Sequence, residues 1–224
     1  MSMFPHERTF AAFLFDMDGT ILTSIKSAER VWTAWAESHG LDVHTFLPTL
    51  HGKRTHDTIR QLGLPGVDPI AEAAWITAAE IEDVADIEAI HGAADFLASL
   101  PPERWGIVTS APRALAKARL AAAGLPSHRL LVAAEDVEHG KPAPDPFLLG
   151  ARKLGFAPAE CLVFEDTQAG LQSAKAAGMD SIVVTLTHTH PMETDVFGVL
   201  DYADLRAVRT ADGRLKIACG GKAP

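Results

Sequence analysis

The chain has 224 residues, 47% of them hydrophobic, which is enough to bury a full core and too apolar for a disordered polymer. A formal charge of −9 argues against a nucleic-acid surface, which would carry a basic patch, and requires any anionic ligand to be met by locally placed cations or backbone N–H groups. The two cysteines, Cys161 and Cys219, form no Cys-x-x-Cys pattern, no apolar run approaches the ~18 residues of a membrane span, and residues 1–10 lack a signal-peptide core, so a cytosolic protein is expected.

In chain order, the run at 10–15 is continuously apolar and breaks at Asp16, as a strand buried on both faces of a parallel sheet reads. Residues 24–90 then show helical patterns and no convincing strand. Ile25, Ala28, Val31, Trp32 and Trp35 keep helical spacing up to Gly40, Pro65-Gly66 marks a turn, and 70–87 is Ala- and Glu-rich. Short apolar runs return at 105–108, 130–133, 161–164 and 181–186. Between them lie helices at 114–123, from the Asp145-Pro146 N-cap to Gly155, and at 167–177. Alternating strands and helices imply a parallel sheet covered on both faces. Two short strands around Asp212-Gly213 suggest a terminal hairpin. The expected organisation is an α/β core from 1–23 and 91–224, with a small inserted α-helical cap at 24–90.

The strand ends carry the chemistry. Asp16-Met17-Asp18-Gly19-Thr20 follows the first strand, and open α/β sheets build their sites beyond the carboxyl ends of their strands. Two carboxylates two residues apart can act as nucleophile and as acid and base. Thr109 and Ser110 end the second core strand ahead of a helix, a place suited to phosphate. Lys141 sits in a proline-rich loop, and Glu165-Asp166 ends the strand before a helix containing Gly170. Singly, these have plainer explanations: turn-forming acids, helix caps and a solvated lysine.

Together and in this order, the segments resemble the four motifs of haloacid dehalogenase superfamily enzymes, over about residues 13–185. The resemblance implies a Rossmann-like parallel sheet with a helical cap, and a phosphatase working through an aspartyl-phosphate. Asp16 is then the nucleophile and Asp18 the general acid and base. Thr109, Ser110 and Lys141 hold the phosphate. Mg2+ is held by Asp16, the backbone carbonyl of Asp18 and Asp166, with Glu165 as a further or outer ligand. Magnesium prefers such oxygen ligands.

The stretch at 50–55 resembles the cap loop that contacts the leaving group, which makes Gly52, Lys53 and above all Arg54 candidates for specificity; a solvated basic turn is the simpler reading. His51-Gly52 with Arg54-Thr55, residues 100–105, residues 136–142 and the tail hairpin are similar to glycerol-phosphate and 2-deoxyglucose-6-phosphate phosphatases. The implied partner is a small sugar- or polyol-phosphate, with no nucleic acid or membrane, acted on by a monomer or weak homo-oligomer. A β-phosphoglucomutase-like mutase is the nearest rival, but Ala28 stands where such mutases carry a histidine. Lys53 invites comparison with a phosphonatase lysine, yet phosphonatases and dehalogenases usually lack the acid at Asp18. A non-catalytic phosphate-binding protein on this fold is the remaining alternative.

Other residues invite functions but have simpler readings. His188 and His190 read as an exposed loop near the site mouth. Trp32, Trp35, Trp75 and Trp105 read as core or cap–core contacts, the acidic run at 80–88 as a solvated helix face, and Cys161 as an inert core residue.

Overall fold

The computed structural model describes residues 8–50, 52–126 and 129–219. The chain starts with β1 (Ala12–Phe15) and β2 (Leu22–Thr23), then passes through four helices, α1 (Ile25–Ser38), α2 (Val43–Phe46), α3 (Thr55–Leu62) and α4 (Pro69–Glu82), to β3 (Glu88–Ala89). The helix α5 (Ala93–Ala98), β4 (Trp105–Val108), α6 (Arg113–Ala122), β5 (Leu131–Val132) and α7 (Asp145–Leu154) follow. The remainder is β6 (Cys161–Glu165), α8 (Gln168–Ala176), β7 (Asp180–Val184), β8 (Phe197–Val199) and the hairpin β9 (Leu205–Arg209) and β10 (Leu215–Cys219).

The main sheet is six-stranded, in the order β5–β4–β1–β6–β7–β8, and every pair is parallel. Its central strands are apolar on both faces because both faces are covered. Alternate residues divide between two cores. Phe13, Phe15, Ile107, Leu162 and Phe164 face one, whereas Ala12, Leu14, Val108 and Val163 face the other against Phe147 and Ala151 of α7. The first core is aromatic: Phe15 stacks on Phe164 at 4.7 Å between centroids, and Phe13 meets Phe164 edge-on at 5.6 Å.

The α/β architecture with an inserted helical segment is as expected. The strands at 105–108 and 161–164 lie where the apolar runs placed them, and α4 stops at Glu82 rather than continuing to 87. Its capping residue Asp83 is gripped by the guanidinium of Arg30 on α1, two nitrogens at 2.8 Å. Asp145 lies inside the first turn of α7, with Pro144 at the N-cap position and no side-chain capping bond. Three short strands were not expected: β8 at the sheet edge, and β2 with β3, which pair antiparallel where the chain leaves and re-enters the sheet. Runs of two or three residues carry no readable period.

The four inserted helices share their own apolar cluster, with Val31, Trp32, Trp35, Phe46, Ile59 and Ile76 buried. Trp32 packs edge-on against Trp35 at 5.6 Å, and the Trp35 indole donates to Glu72 at 2.7 Å. Trp75 departs from the sequence reading: it is 52% exposed, on the face of α4 turned away from this cluster. Among the described residues, no helix is long and apolar enough to cross a membrane.

Phe13 touches four other aromatic rings from the middle of the sheet. Phe13→Ala should therefore cost about 3–5 kcal/mol, read as a lower urea midpoint at an unchanged slope.

Candidate active site

β1 ends at Phe15, and the next residues wind into a tight loop. The Met17 carbonyl accepts from the N–H groups of Ile21 and Leu22, and the Asp16 N–H donates to the Phe164 carbonyl of β6. Gly19 at φ +83° lets this loop pass against Asp166: a methyl group there would lie 2.0 Å from the Asp166 carboxylate. Thr20 Oγ1 bridges the two acids, 3.3 Å from Asp16 and 3.1 Å from Asp166. Strand order thus brings the ends of β4, β1 and β6 side by side, and with them Thr109, Asp16 and Glu165-Asp166.

Lys141 reaches this point from its loop and is buried. Its ammonium group donates to Asp16 Oδ1 at 2.5 Å, Glu165 Oε1 at 2.7 Å and the Val108 carbonyl at 3.1 Å. Glu165 is fully buried, and its other oxygen accepts from the N–H groups of Asp166 and Thr167 and from the Thr167 hydroxyl. Gly170 is required here, because a methyl group would sit 1.6 Å from Glu165 Oε1.

The charges do not balance. Asp16, Glu165 and Asp166 each offer an oxygen within 4.8 Å of the others, against one ammonium group. Burial raises Asp16 to about 7, with Lys141 pulling it back and Glu165 adding to the rise. Burial, then Glu165 and Asp16, push Asp166 well above the carboxylate range. Lys141 is held protonated by Asp16 and Glu165 in spite of its burial. A hard divalent cation fits this oxygen-lined, electron-rich site and would draw both acids back to their charged forms.

Asp18 lines the same pocket as Asp16 and is half-buried. Its Oδ1 accepts from Ser24 Oγ at 2.6 Å and from Arg119 Nη1 at 2.9 Å. Arg119 Nη2 in turn donates to Glu80 Oε1 at 3.0 Å. Glu80 is therefore not part of a solvated acidic face: it is buried, because Arg119 faces it from α6. A sequence signal was present for Arg119, which falls in the helical stripe of Leu115, Ala116 and Leu120; α4 carries no such stripe to mark Glu80.

The pocket has a volume of about 120 Å³, room for only a small ligand. Asp16, Asp18, Thr109 and Ser110 line it from the core, and Trp32, Gly52, Lys53 and Glu80 from the insert. Thr109 Oγ1 accepts the Ala111 N–H at 3.0 Å, and Ser110 Oγ donates to the Gly52 carbonyl at 3.0 Å, so the insert loop rests on the segment that follows β4. Arg54 is not among the lining residues. It donates to Asp57 at 2.6 Å and to the Val137 carbonyl at 3.3 Å, and it packs on Gly140 beside Lys141. His51 lies outside the described residues. His188 is half-buried rather than exposed, with Nε2 2.7 Å from the Asp166 carbonyl. A carbonyl only accepts, so that nitrogen carries the proton. His190 is exposed, and Cys161 is buried with its thiol raised to about 11 by burial.

The haloacid dehalogenase-like hydrolase family matches residues 10–178, and the chain belongs to it. It is 41% identical over 192 residues to hexitol phosphatase A of Escherichia coli (strain K12), covering 84% of this chain and 89% of that one. It is 30% identical over 192 residues to glycerol-1-phosphate phosphohydrolase 2 of Saccharomyces cerevisiae, covering 79% and 75%. The crystal structure of CbbY from Rhodobacter sphaeroides in complex with phosphate superposes with a TM-score of 0.73 at 24% identity, over 87% of this chain and 96% of that chain, a likeness of fold.

Lys141→Met should strand its carboxylates. In metal-free buffer at about pH 8 the loss should be about 3–5 kcal/mol, and smaller at about pH 5. The sign follows from the raised acids. Their cost is absent below the unfolded Asp value of about 4 and is incurred as pH rises through about 7. Denaturant midpoints at the two pH values check this.

Proposed function

We propose that this protein is a magnesium-dependent phosphatase of small sugar- or polyol-phosphates. One observation carries the reading: Asp16, neutralised by Lys141 on one oxygen, shares a pocket with Asp18, whose carboxylate stands apart from that lysine. A nucleophile and a proton-transfer group are thereby separated by role.

In the first half-reaction a carboxylate oxygen of Asp16 attacks phosphorus, the ester P–O bond breaks, and Asp18 gives its proton to the leaving oxygen. In the second, Asp18 takes a proton from water as its oxygen attacks phosphorus and the bond to Asp16 breaks. Lys141, the Thr109 hydroxyl and the Ser110 N–H stabilise charge on the phosphoryl oxygens. Asp16, Asp166 and the Asp18 carbonyl would hold Mg2+, with Glu165 alongside, and the ion would supply further neutralisation of phosphate charge. Residues 24–90 act as the cap, with Gly52 and Lys53 toward the substrate and Arg54 bracing their loop on the segment that carries Lys141.

The relatives support the substrate class, since their names specify hexitol and glycerol phosphates. Ala28 lines the pocket without a proton-transfer group, which favours hydrolysis over mutase chemistry. The reading describes a cytosolic enzyme, monomeric or weakly self-associating, acting on a diffusible ester.

The test is phosphate release from hexitol, glycerol, hexose and 2-deoxyglucose phosphates, with and without magnesium. Metal-dependent release strongest for one small ester is expected; release from none would overturn the reading. Asp16→Asn should lower turnover by more than about 10³-fold with the fold intact. Asp166→Ala should raise the magnesium needed for half-activity by about 10-fold or more, and an unchanged titration would remove it from the ligand set.

A further inference from the structure

Arg119 and Glu80 belong to none of the four motifs, yet they are 5% and 3% exposed and bonded to each other. Burial raises the Glu80 carboxyl, with Arg119 pulling it back. Arg119 is kept protonated by Asp18 and Glu80 despite its own burial. Such a pair is seldom retained for stability alone, because well-packed apolar residues do as well or better. Leu115, Ala116 and Leu120 in the same stripe of α6 show that apolar side chains suit that face. The pair also leaves the buried Arg119 Nε without a hydrogen bond among the described residues, a further cost.

What the pair achieves is visible at Asp18. A carboxylate on a loop at an open pocket would turn freely about its side-chain bonds. Here Arg119 and Ser24 both fix Oδ1. Among the described residues no hydrogen bond reaches Oδ2, so that oxygen is available for a proton. A lone arginine could lean toward Asp18 or away from it. Glu80 occupies Nη2 and leaves Nη1 pointing at Asp18, the planar fork of the guanidinium fixing one contact by the other.

We propose that Arg119 is a positioning residue for Asp18, and that Glu80, on helix α4 of the inserted segment, positions Arg119. A side chain of the insert thereby sets the geometry of proton transfer through Arg119. The inference rests on the reading of Asp18 as acid and base. In the first half-reaction the proton on Asp18 Oδ2 goes to the leaving oxygen as the ester bond breaks. A displaced carboxylate delays that step, and does so in proportion to the leaving group's need for a proton.

The experiment compares first-turnover rates of Glu80→Gln and wild type on two esters. A hexitol phosphate has an alkoxide leaving group that must be protonated; p-nitrophenyl phosphate releases a stable anion that need not be. Glu80→Gln is expected to slow hexitol release by about 10-fold, part of the 10²–10⁴ that a positioned general acid contributes, while the p-nitrophenolate burst falls by less than about 2-fold. Arg119→Lys, which keeps the charge but loses the fork, should show the same asymmetry and carries the test if Glu80→Gln does not fold. Equal slowing of both esters, or of neither, would overturn the inference and leave the pair a structural one. A wild-type protein inactive on both esters would overturn the phosphatase reading, and this inference with it.

Discussion

Three buried carboxylates around one ammonium group is the constraint on which the rest of the structure depends. With all groups ionised, Asp16, Glu165, Asp166 and Lys141 sum to −2 in a buried place where water screens them poorly. An arrangement of that kind persists only if the surrounding chain enforces it. The enforcement is specific. Glu165 is held by three donors on one oxygen and Lys141 on the other, and Thr20 spans Asp16 and Asp166. Gly19 and Gly170 give up their side chains to make room for carboxylates. The aromatic layer of Phe13, Phe15 and Phe164 beneath supplies the rigidity that such strain requires.

Most of this was legible in the sequence because it is local. A buried parallel strand is an uninterrupted apolar run, and a polar residue at its end marks where the chain leaves the sheet. Asp16, Thr109 and Glu165 each announce themselves that way. Their proximity needed only one additional fact, that β1 lies between β4 and β6.

What stayed hidden is non-local. The pairing of β2 with β3 joins residues more than sixty positions apart, and neither strand is long enough to show alternation. Glu80 sits in an acidic stretch whose plain meaning is solvation; only Arg119, 39 positions on, makes it a buried residue. α4 compounds the problem, because Ile70, Ala73, Trp75, Ile76 and Ala79 run around the helix and leave no single apolar stripe. Its buried side therefore could not be chosen from sequence, and Trp75 proved to lie on the other one. The role expected of Arg54 in the insert loop turns on the direction of a long flexible side chain, which is decided by its partners, here Asp57 and the Val137 carbonyl.

These hidden contacts share a location. Gly52 accepts from Ser110, Arg54 reaches the loop that carries Lys141, and Glu80 holds the arginine that holds Asp18. Each joins the insert to a different part of the strand-end machinery. An insert that only roofed the pocket would need shape and an apolar seam, and apolar packing among its own helices already supplies a stable body for that. Polar ties to the residues flanking the chemistry are directional, so they transmit position as well as hold parts together. A change of substrate that reshapes the insert must therefore keep these ties or replace them, which restricts variation to positions such as Trp32 and Lys53 that line the pocket and lie off the ties.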